Sequence, residues 1–172
     1  MHLVRFRPFT AITEIVIVVL VAATFGEFVR LRRALLGLSQ RALADRAGVK
    51  QPLIAAIETG RREPSESARS ALTTALAMRP SVALAARRDE VRECFARAGL
   101  PAPQIFGSVA REDDDTTSDL DLIVEFTDNH DIVDLLVLQQ ELEDLLTVRV
   151  DIVDGRSRGS AAAAARAEAV AL

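Results

Sequence analysis

Cysteine and long apolar runs are nearly missing from this sequence of 172 residues. The one cysteine, Cys94, cannot form an internal disulfide, which fits a reducing cytoplasm. The apolar segment of residues 15–25 follows Arg5 and Arg7 as a signal-peptide core would, but no small-residue cleavage site stands out. Its uninterrupted part is about half as long as a membrane-spanning helix. We therefore expect a cytoplasmic protein without stable membrane association, with residues 1–26 as an apolar N-terminal extension. A membrane anchor is the alternative.

Positive charge is almost missing from residues 101–154, which carry 2 basic residues against 15 acidic ones. Residues 26–100 show the opposite balance, with 14 basic residues against 8 acidic ones. The overall composition, 49% hydrophobic and 27% charged, is typical of a globular protein and excludes a disordered chain. The length suits one domain or two small ones. The charge asymmetry favours two modules with different partners, of which the basic one is a candidate for binding nucleic acid.

The spacing of apolar residues predicts four short helices in the basic half. Their predicted ranges are 27–37, 40–47, 51–59 and a helix that opens at Pro64 and Ser65. Gly48 supplies the positive φ of a tight turn between the second and third helices, and two short helices joined in this way form a helix-turn-helix. Residues 79–81 interrupt the pattern and predict a linker, and a further helix is expected over residues 82–99.

Residues 38–65, LSQRALADRAGVKQPLIAAIETGRREPS, closely resemble the phage-repressor (Xre/Cro) helix-turn-helix family. The resemblance implies that Gln40 contacts a phosphate and braces Gln51, whose amide is suited to the edge of an adenine. Three basic side chains suit contacts to the DNA backbone, namely Lys50, Arg61 and Arg62. Modules of this kind read half-sites as dimers, so we expect a homodimer on a double-stranded DNA operator. The alternative is a four-helix bundle whose basic face binds a protein.

The acidic half contains GSVAREDDDTTSDLDLIVEF, residues 107–126, which combines a turn with paired carboxylates. Backbone amides and the hydroxyl of Gly107-Ser108 can face an anion at the start of a short helix. Asp119 and Asp121 open an apolar strand and point to the same face, about 7 Å apart along the chain. Like charges so close favour a cation between them, and Mg²⁺ prefers oxygen ligands together with substrate phosphates.

A third carboxylate, Asp151, lies in a second strand-like run over residues 148–153. Three carboxylates could hold two metal ions roughly 4 Å apart, the arrangement that clamps attacking and leaving oxygens in phosphoryl transfer. The structural alternative is that Asp119 begins a strand while Asp121 and Asp151 are solvated surface charges. The combination with the Gly-Ser turn favours the metal site.

Residues 83–172 resemble a minimal nucleotidyltransferase of the DNA polymerase β superfamily. The positions that match its signature are Gly107, Ser108, Arg111, Ser118, Asp119, Asp121, Leu122 and Asp151. The resemblance implies a small mixed sheet with helices on one side, and nucleotide binding by Gly107, Ser108, Arg111 and Ser118. It also implies that Asp119, Asp121 and Asp151 are catalytic and bind Mg²⁺. Glu112 departs from the family, which has glycine there.

Two helices are expected around this motif. The first covers residues 131–146, with an apolar stripe that packs on the sheet, formed by Ile132, Leu135, Leu136, Leu142 and Leu145. The second covers residues 161–171, which are rich in alanine.

The sequence thus predicts an α+β protein with an all-α helix-turn-helix bundle over residues 27–80 and a nucleotidyltransferase domain over residues 83–172. We expect a DNA-binding regulator of the antitoxin type. The resemblance implies two Mg²⁺ ions as cofactor and a nucleoside triphosphate such as ATP as substrate. It also implies a partner toxin of the HEPN type that receives the nucleotidyl group. One alternative is a regulator with an inactive transferase domain, which Glu112 and the acidic loop favour. Another is a nucleotidyltransferase acting on a small molecule or tRNA.

Overall fold

The computed structural model describes residues 24–172. The predicted extension of residues 1–26 lies outside this range apart from its last three residues. The first four helices are α1 (Phe25–Leu35), α2 (Gln40–Ala47), α3 (Gln51–Glu58) and α4 (Glu66–Ala75). They enclose a core that includes Val29, Leu43, Ile54, Ile57, Leu72 and Leu76. The predicted helical half is therefore correct, and every one of its helices except α3 begins at a side chain that caps it, such as Ser39 before α2 and Ser65 before α4.

Two helices, rather than a linker and one helix, connect the halves. They are α5 (Pro80–Ala86) and α6 (Arg88–Arg97). Pro80 occupies the first turn of α5, where its missing amide hydrogen costs nothing, so the predicted linker is wrong at this residue. The predicted single helix is broken at Arg87, whose φ of −134° lies outside the helical region. The break lets Leu84 and Phe95 both enter the same core.

The acidic half forms a four-stranded sheet in the order β3-β2-β1-β4. Its elements are β1 (Gln104–Phe106), α7 (Gly107–Ala110), β2 (Leu120–Val124), α8 (Ile132–Leu146), β3 (Val150–Asp154), α9 (Ser160–Glu168) and β4 (Val170–Ala171). Strand β2 runs parallel to β3, whereas β1 is antiparallel to β2 and β4. The mixed sheet and the helical first half confirm the predicted α+β class.

The last predicted helix ends early, because the chain leaves α9 after Glu168 and Val170 pairs with Ile105 of β1. The C-terminal residues thereby cover the backbone edge of β1 that would otherwise lack a partner. The apolar stripe of α8 also differs from the prediction. Leu138, Leu142 and Leu146 are buried, whereas Ile132 is 67% exposed and Leu136 is 52% exposed. The fully buried leucines of α8 therefore lie between Leu138 and the end of the helix. Within residues 24–172, no helix is both long enough and apolar enough to cross a membrane.

Candidate nucleotide and DNA sites

The helix-turn-helix is formed by α2, the turn at Gly48 and α3. Gly48 has a φ of +65°, a conformation that glycine adopts without steric cost, and it ends α2. Gln51 is the first residue of α3, and its Nε2 donates to Oε1 of Gln40 at 2.8 Å. The structure thus brings together the two glutamines that the sequence predicts as a braced pair. Lys50 is exposed at the start of α3, and Arg61 and Arg62 are exposed beyond its end.

A carboxylate that sequence reasoning left without a role fastens this pair. Glu58, at the end of α3, accepts from Nε2 of Gln40 at 2.9 Å and from Arg33 of α1 at 2.6 and 3.0 Å. Burial by itself raises the pKa of Glu58, but hydrogen bonds from Arg33 and Gln40 outweigh it, and the pKa lies below its usual value. The resulting chain Arg33–Glu58–Gln40–Gln51 fixes the first residue of the recognition helix against two other helices. The signal in the sequence was the match of Glu58 to the family.

In the other half, the parallel pairing of β2 with β3 places Asp121 directly beside Asp151. Asp119 precedes β2 by one residue and lies two residues before Asp121, so the three carboxylates share one end of these strands. Asp121 is partly buried and Asp151 is exposed. Burial raises the pKa of Asp121, and the negative charges of Asp151 and Asp119 raise it further. The site therefore concentrates negative charge that the nearby arginines neutralise only in part.

The predicted phosphate-binding turn lies against this carboxylate. Gly107 begins α7 with a φ of +69°, and Phe106 beside it pairs with Asp121 across the strands. The positive φ favours glycine here, and a Cβ at this position would meet Oδ2 of Asp121, so that any side chain would displace this carboxylate. The structure therefore brings the Gly107-Ser108 turn and the carboxylates together at the ends of β1 and β2.

Ser118 holds the loop that leads to Asp119. Its Oγ accepts from the backbone amide of Asp115 at 2.9 Å, and Oδ1 of Asp115 accepts from the amides of Thr117 at 2.7 Å and Ser118 at 3.1 Å. Hydrogen bonds from Thr117, and then from Ser118, lower the pKa of Asp115. Asp115 fixes the loop, a role that sequence reasoning missed. Its signal was its position, because an Asp that accepts hydrogen bonds from backbone amides two or three residues later is typical of such turns.

Arg111 follows α7 and is held by acidic neighbours. Its Nη1 donates to Oε2 of Glu168 at 2.9 Å, and its Nε lies 3.4 Å from Oδ2 of Asp113. Hydrogen bonds from Arg111 to Glu168 and Asp113 raise the pKa of Arg111. Sequence reasoning missed Glu168 because no short motif links residues so far apart. The ion pair is half exposed, and solvent screening leaves such pairs a small contribution to stability.

Comparison with known proteins identifies both halves. A family model described as a helix-turn-helix domain matches residues 24–87, and one described as polymerase beta nucleotidyltransferase matches residues 97–169. The protein adenylyltransferase MntA of Thermococcus cleftensis is 36% identical over 70 residues, which are 41% of this chain and 68% of MntA. The chain belongs to the polymerase beta nucleotidyltransferase family.

Further relatives of this nucleotidyltransferase come from Methanocaldococcus jannaschii, and each is named a putative protein adenylyltransferase. One is 36% identical over 70 residues, 41% of this chain and 71% of that protein. Another is 42% identical over 55 residues, 32% of this chain and 59% of that protein. Three of them are matched over only 54–62% of their length. A solved structure described as a putative minimal nucleotidyltransferase is 40% identical, covering 54% of this chain and 95% of its own, with a TM-score of 0.48.

The conformation of Glu112 explains the glycine that the resemblance implies at this position. Glu112 has a φ of +61°, in the left-handed region that glycine adopts freely and that other residues adopt at a cost of about 1–2 kcal/mol. Its backbone amide still donates to the carbonyl of Val109 at 3.2 Å. The nucleotidyltransferase therefore keeps a backbone turn of glycine type after Arg111 while presenting an acidic side chain.

The donor set of the nucleotidyltransferase site suits a hard divalent cation. Three carboxylates from β2, β3 and the preceding loop provide the oxygen ligands that Mg²⁺ prefers, beside a turn of the phosphate-binding type. Within residues 24–172, no three Asp, Glu, His or Cys side chains already converge into a metal site. Carboxylates repel one another when no cation lies between them. Nε of Arg149 lies 3.6 Å from Oδ1 of Asp119 and is a partial counter-charge. Sequence reasoning missed this role of Arg149.

Proposed function

We propose that this protein binds operator DNA through its helix-turn-helix and transfers a nucleotidyl group from Mg²⁺-ATP to a partner protein. The observation that carries the transferase proposal is the contact of Gly107 with Asp121, in register with Asp151. It brings a phosphate-binding turn and three carboxylates to one end of the sheet. The relatives named protein adenylyltransferases support ATP as the nucleotide and a protein as the acceptor.

Each site residue then has one task in the transfer. Asp119, Asp121 and Asp151 would hold Mg²⁺, which supplies charge neutralisation at the phosphates and at the attacking oxygen. The Gly107-Ser108 turn binds the outer phosphates through backbone amides and the hydroxyl. Because these groups are fixed by the fold, positioning and charge stabilisation account for most of the acceleration.

Proton transfer falls to Asp151, the most exposed of the three carboxylates and thus the one that an acceptor hydroxyl reaches. The acceptor oxygen forms a bond to the α-phosphorus as the bond to pyrophosphate breaks, and Asp151 takes the proton of the hydroxyl. Arg111 leaves its ion pair with Glu168 and pairs with the leaving pyrophosphate, whose negative charge it balances. The exchange is cheap because the pair is half exposed.

The transferase proposal is tested with the full chain, Mg²⁺, labelled ATP and a co-purified partner, followed by intact mass and by calorimetry of nucleotide binding. Asp119→Asn and Asp121→Asn should abolish transfer, because a neutral amide binds Mg²⁺ poorly. Glu125→Gln, which removes an exposed carboxylate just after β2, is the matched control and should retain activity. If no partner gains a nucleotidyl group and Mg²⁺-ATP gives no heat, the domain is inactive and the protein is a DNA-binding regulator only.

For the acceptor, we propose a basic partner toxin of the HEPN type that docks on α8. The N-terminal half of α8 exposes Ile132, Val133 and Leu136 next to the carboxylates of Asp131 and Asp134. A groove of about 750 Å³ lies beside it, lined in part by Phe126, His130 and Val137. An apolar strip within an acidic surface complements a basic amphipathic helix, and the charges speed its encounter.

Co-expression with the neighbouring gene and affinity purification tests the docking. Leu136→Asp should release the partner, because it introduces a charge into the apolar strip. Val82→Asp is the control, since Val82 of α5 is also exposed but lies outside the α8 surface. Equal recovery of the partner with both variants would rule out this docking surface. An acceptor that proved to be a small molecule or tRNA would replace the toxin.

For the DNA site, we propose that a homodimer binds an inverted repeat, with Gln51 at a base edge. The support is the Gln40–Gln51 pair at the start of α3, with Lys50, Arg61 and Arg62 exposed at its two ends. The test compares DNA from upstream of the coding sequence with random DNA over a salt series. Equal affinities at every salt concentration would indicate binding through phosphates alone.

A further inference from the structure

Two consecutive arginines of α1 reach the two candidate sites. Arg33 bonds to Glu58 and so supports the pair Gln40–Gln51 at the start of the recognition helix. The guanidinium of Arg32 extends into the nucleotidyltransferase half and donates to the carbonyl of Thr147. Neighbouring residues of α1 therefore contact residues that border both candidate sites, Glu58 in the helical half and Thr147 in the nucleotidyltransferase half.

Arg32 is fixed in a buried environment. It is only 7% exposed, its guanidinium lies 5.3 Å from the ring of Phe28, and its Nε has no hydrogen-bond partner among residues 24–172. Burial lowers its pKa from the ordinary value. Leu35 of the same helix, and Leu36 just after it, pack against the core of the nucleotidyltransferase half. A buried charge is costly, so its contact with Thr147 has to be maintained whenever the two halves are packed.

Thr147 stands at the start of the segment that borders the metal ligands. Thr147 ends α8 with a φ of +57°. Two residues later, the backbone carbonyl of Arg149 accepts a hydrogen bond from the backbone amide of Leu120 at 2.9 Å. The side chain of Arg149 lies 3.6 Å from Asp119. A cavity of about 310 Å³ separates the two halves here and is lined by residues that include Arg32, Ser118, Asp119, Thr147 and Arg149. A shift of Arg32 thus reaches Asp119 through Thr147 and Arg149.

A second contact ties the acidic loop of the site to α5, one of the two helices that connect the halves. Asp114, which is 5% exposed, accepts the backbone amide of Ser81 in the first turn of α5 at 2.9 Å. It belongs to the acidic loop that ends at Ser118 and Asp119. Both segments that lead to the metal ligands are therefore held by residues that precede the sheet, Arg32 of α1 and Ser81 of α5.

We propose that Arg32 is a positioning residue of the nucleotidyltransferase site and that occupation of the nucleotide site and of the DNA site is coupled through α1. The inference rests on the proposed function. Because coupling between two ligands is reciprocal, Mg²⁺-nucleotide changes the affinity for DNA by the same factor as DNA changes the affinity for nucleotide. We expect a factor of roughly five or more.

The test measures binding of Mg²⁺ with α,β-methylene-ATP to the full chain by calorimetry. Arg32→Met removes the donor while keeping the length of the side chain, and we expect roughly fivefold weaker binding. Arg30→Met, two residues earlier and exposed on the same helix, should leave the affinity unchanged. Thermal unfolding of each variant accompanies the titration. If Arg32→Met unfolds at the working temperature, Arg32→Lys, which keeps the charge but loses the planar fork, takes its place with an intermediate loss expected.

A double-mutant cycle separates positioning from general destabilisation. If Arg32 acts through the segment of Arg149, then Arg149→Ala costs less affinity in the Arg32→Met protein than in the wild type. The same cycle with Arg30→Met should be additive. In parallel, the affinity for upstream DNA is measured with and without the Mg²⁺-nucleotide, and the difference should vanish in Arg32→Met.

The outcomes distinguish this inference from the proposed function. If the wild type binds no Mg²⁺-nucleotide, the proposed transferase function fails and the inference fails with it. If the wild type binds it but Arg32→Met equals Arg30→Met, or the cycle with Arg149 is additive, Arg32 has no positioning role. DNA affinity that is the same with and without nucleotide would overturn the coupling. In these last cases the proposed function stands.

Discussion

Each half of the molecule contains a carboxylate withdrawn from solvent, and the two carboxylates have opposite neighbours. Glu58 in the helical half is surrounded by donors from Arg33 and Gln40. Asp121 in the sheet half is influenced most by two further carboxylates, Asp151 and Asp119, and the positive charge of Arg111 offsets them only in part. Burial raises the pKa of both, yet the pKa of Glu58 ends below its usual value and that of Asp121 ends above it. Because burial acts in the same direction on both pKa values, the neighbours account for the difference in sign between them.

This difference separates a structural carboxylate from one suited to a ligand. Glu58 has its charge satisfied inside the protein, so its loss removes support from the fold. The charge of Asp121 is not balanced until a cation binds, so its ionisation lowers the stability of the folded protein. The comparison leads to opposite expectations for the two positions.

The largest effect on stability is expected for Glu58→Gln. The change leaves Arg33 without its anionic partner, and we expect a loss of roughly 2–4 kcal/mol in the free energy of unfolding, measured by urea denaturation at pH 7. Because the pKa of Glu58 is lowered in the folded state, its contribution is present above the ordinary pKa of about 4.3 and is lost as the pH falls through the lowered value. Glu63→Gln, at an exposed carboxylate, is the control. Equal stabilities of the two variants would mean that Glu58 is not a structural support.

The next effect concerns DNA. Gln51→Ala should weaken binding to the operator by about 1–3 kcal/mol, because it removes the amide that faces a base edge, and random DNA should be bound as before. Arg62→Ala should weaken binding to both DNAs alike and reduce the salt dependence by about one phosphate contact. Fluorescence anisotropy over a salt series measures both. Loss of affinity for random DNA in Gln51→Ala would show that the residue supports α3 rather than reading a base.

A smaller effect of opposite sign is expected for Asp121→Asn. Without metal at pH 7, it should raise the free energy of unfolding by up to about 1 kcal/mol, since it removes a partly solvated like-charge interaction. The pKa of Asp121 is raised in the folded state, so its ionisation destabilises the protein as the pH rises from the ordinary Asp value of about 3.9 through the raised value. The gain should therefore disappear in acid.

Thermal unfolding with and without Mg²⁺ completes that comparison. Mg²⁺ should stabilise the wild type and have little effect on Asp121→Asn, because a ligand that binds only the folded state stabilises it. Asp45→Asn, at an exposed position of α2, is the reference for the loss of one negative charge. A destabilised Asp121→Asn protein at pH 7 would contradict the view of Asp121 as an unsatisfied charge.

The smallest effect is expected at Glu112. Glu112→Gly should stabilise the protein by up to about 1 kcal/mol, because glycine adopts a φ of +61° without steric cost. Glu112→Ala keeps the Cβ and should give no such gain, so it is the matched control in the same unfolding assay. If alanine stabilises as much as glycine, the acidic charge and not the backbone angle is the cause.

Features that depend on residues a few positions apart were predictable from the sequence. The spacing of apolar residues and the left-handed turn at Gly48 predicted the helix-turn-helix. Alternation along β2 placed Asp119 and Asp121 on one face, and the glycine in the Gly-Ser pair predicted the turn. These features were predictable because backbone sterics and local hydrogen bonds act within a turn or a strand, whatever the rest of the chain does.

Contacts between distant segments were not predictable from the sequence and are defined by the folded structure. The break at Arg87, the exposed N-terminal half of α8 and the pairing of Val170 with Ile105 all depend on which surfaces meet. Arg111 meets Glu168 across 57 positions and Arg32 meets Thr147 across 115. No local pattern encodes such partners, because their free energy comes from burial and charge neutralisation that exist only once the core has formed.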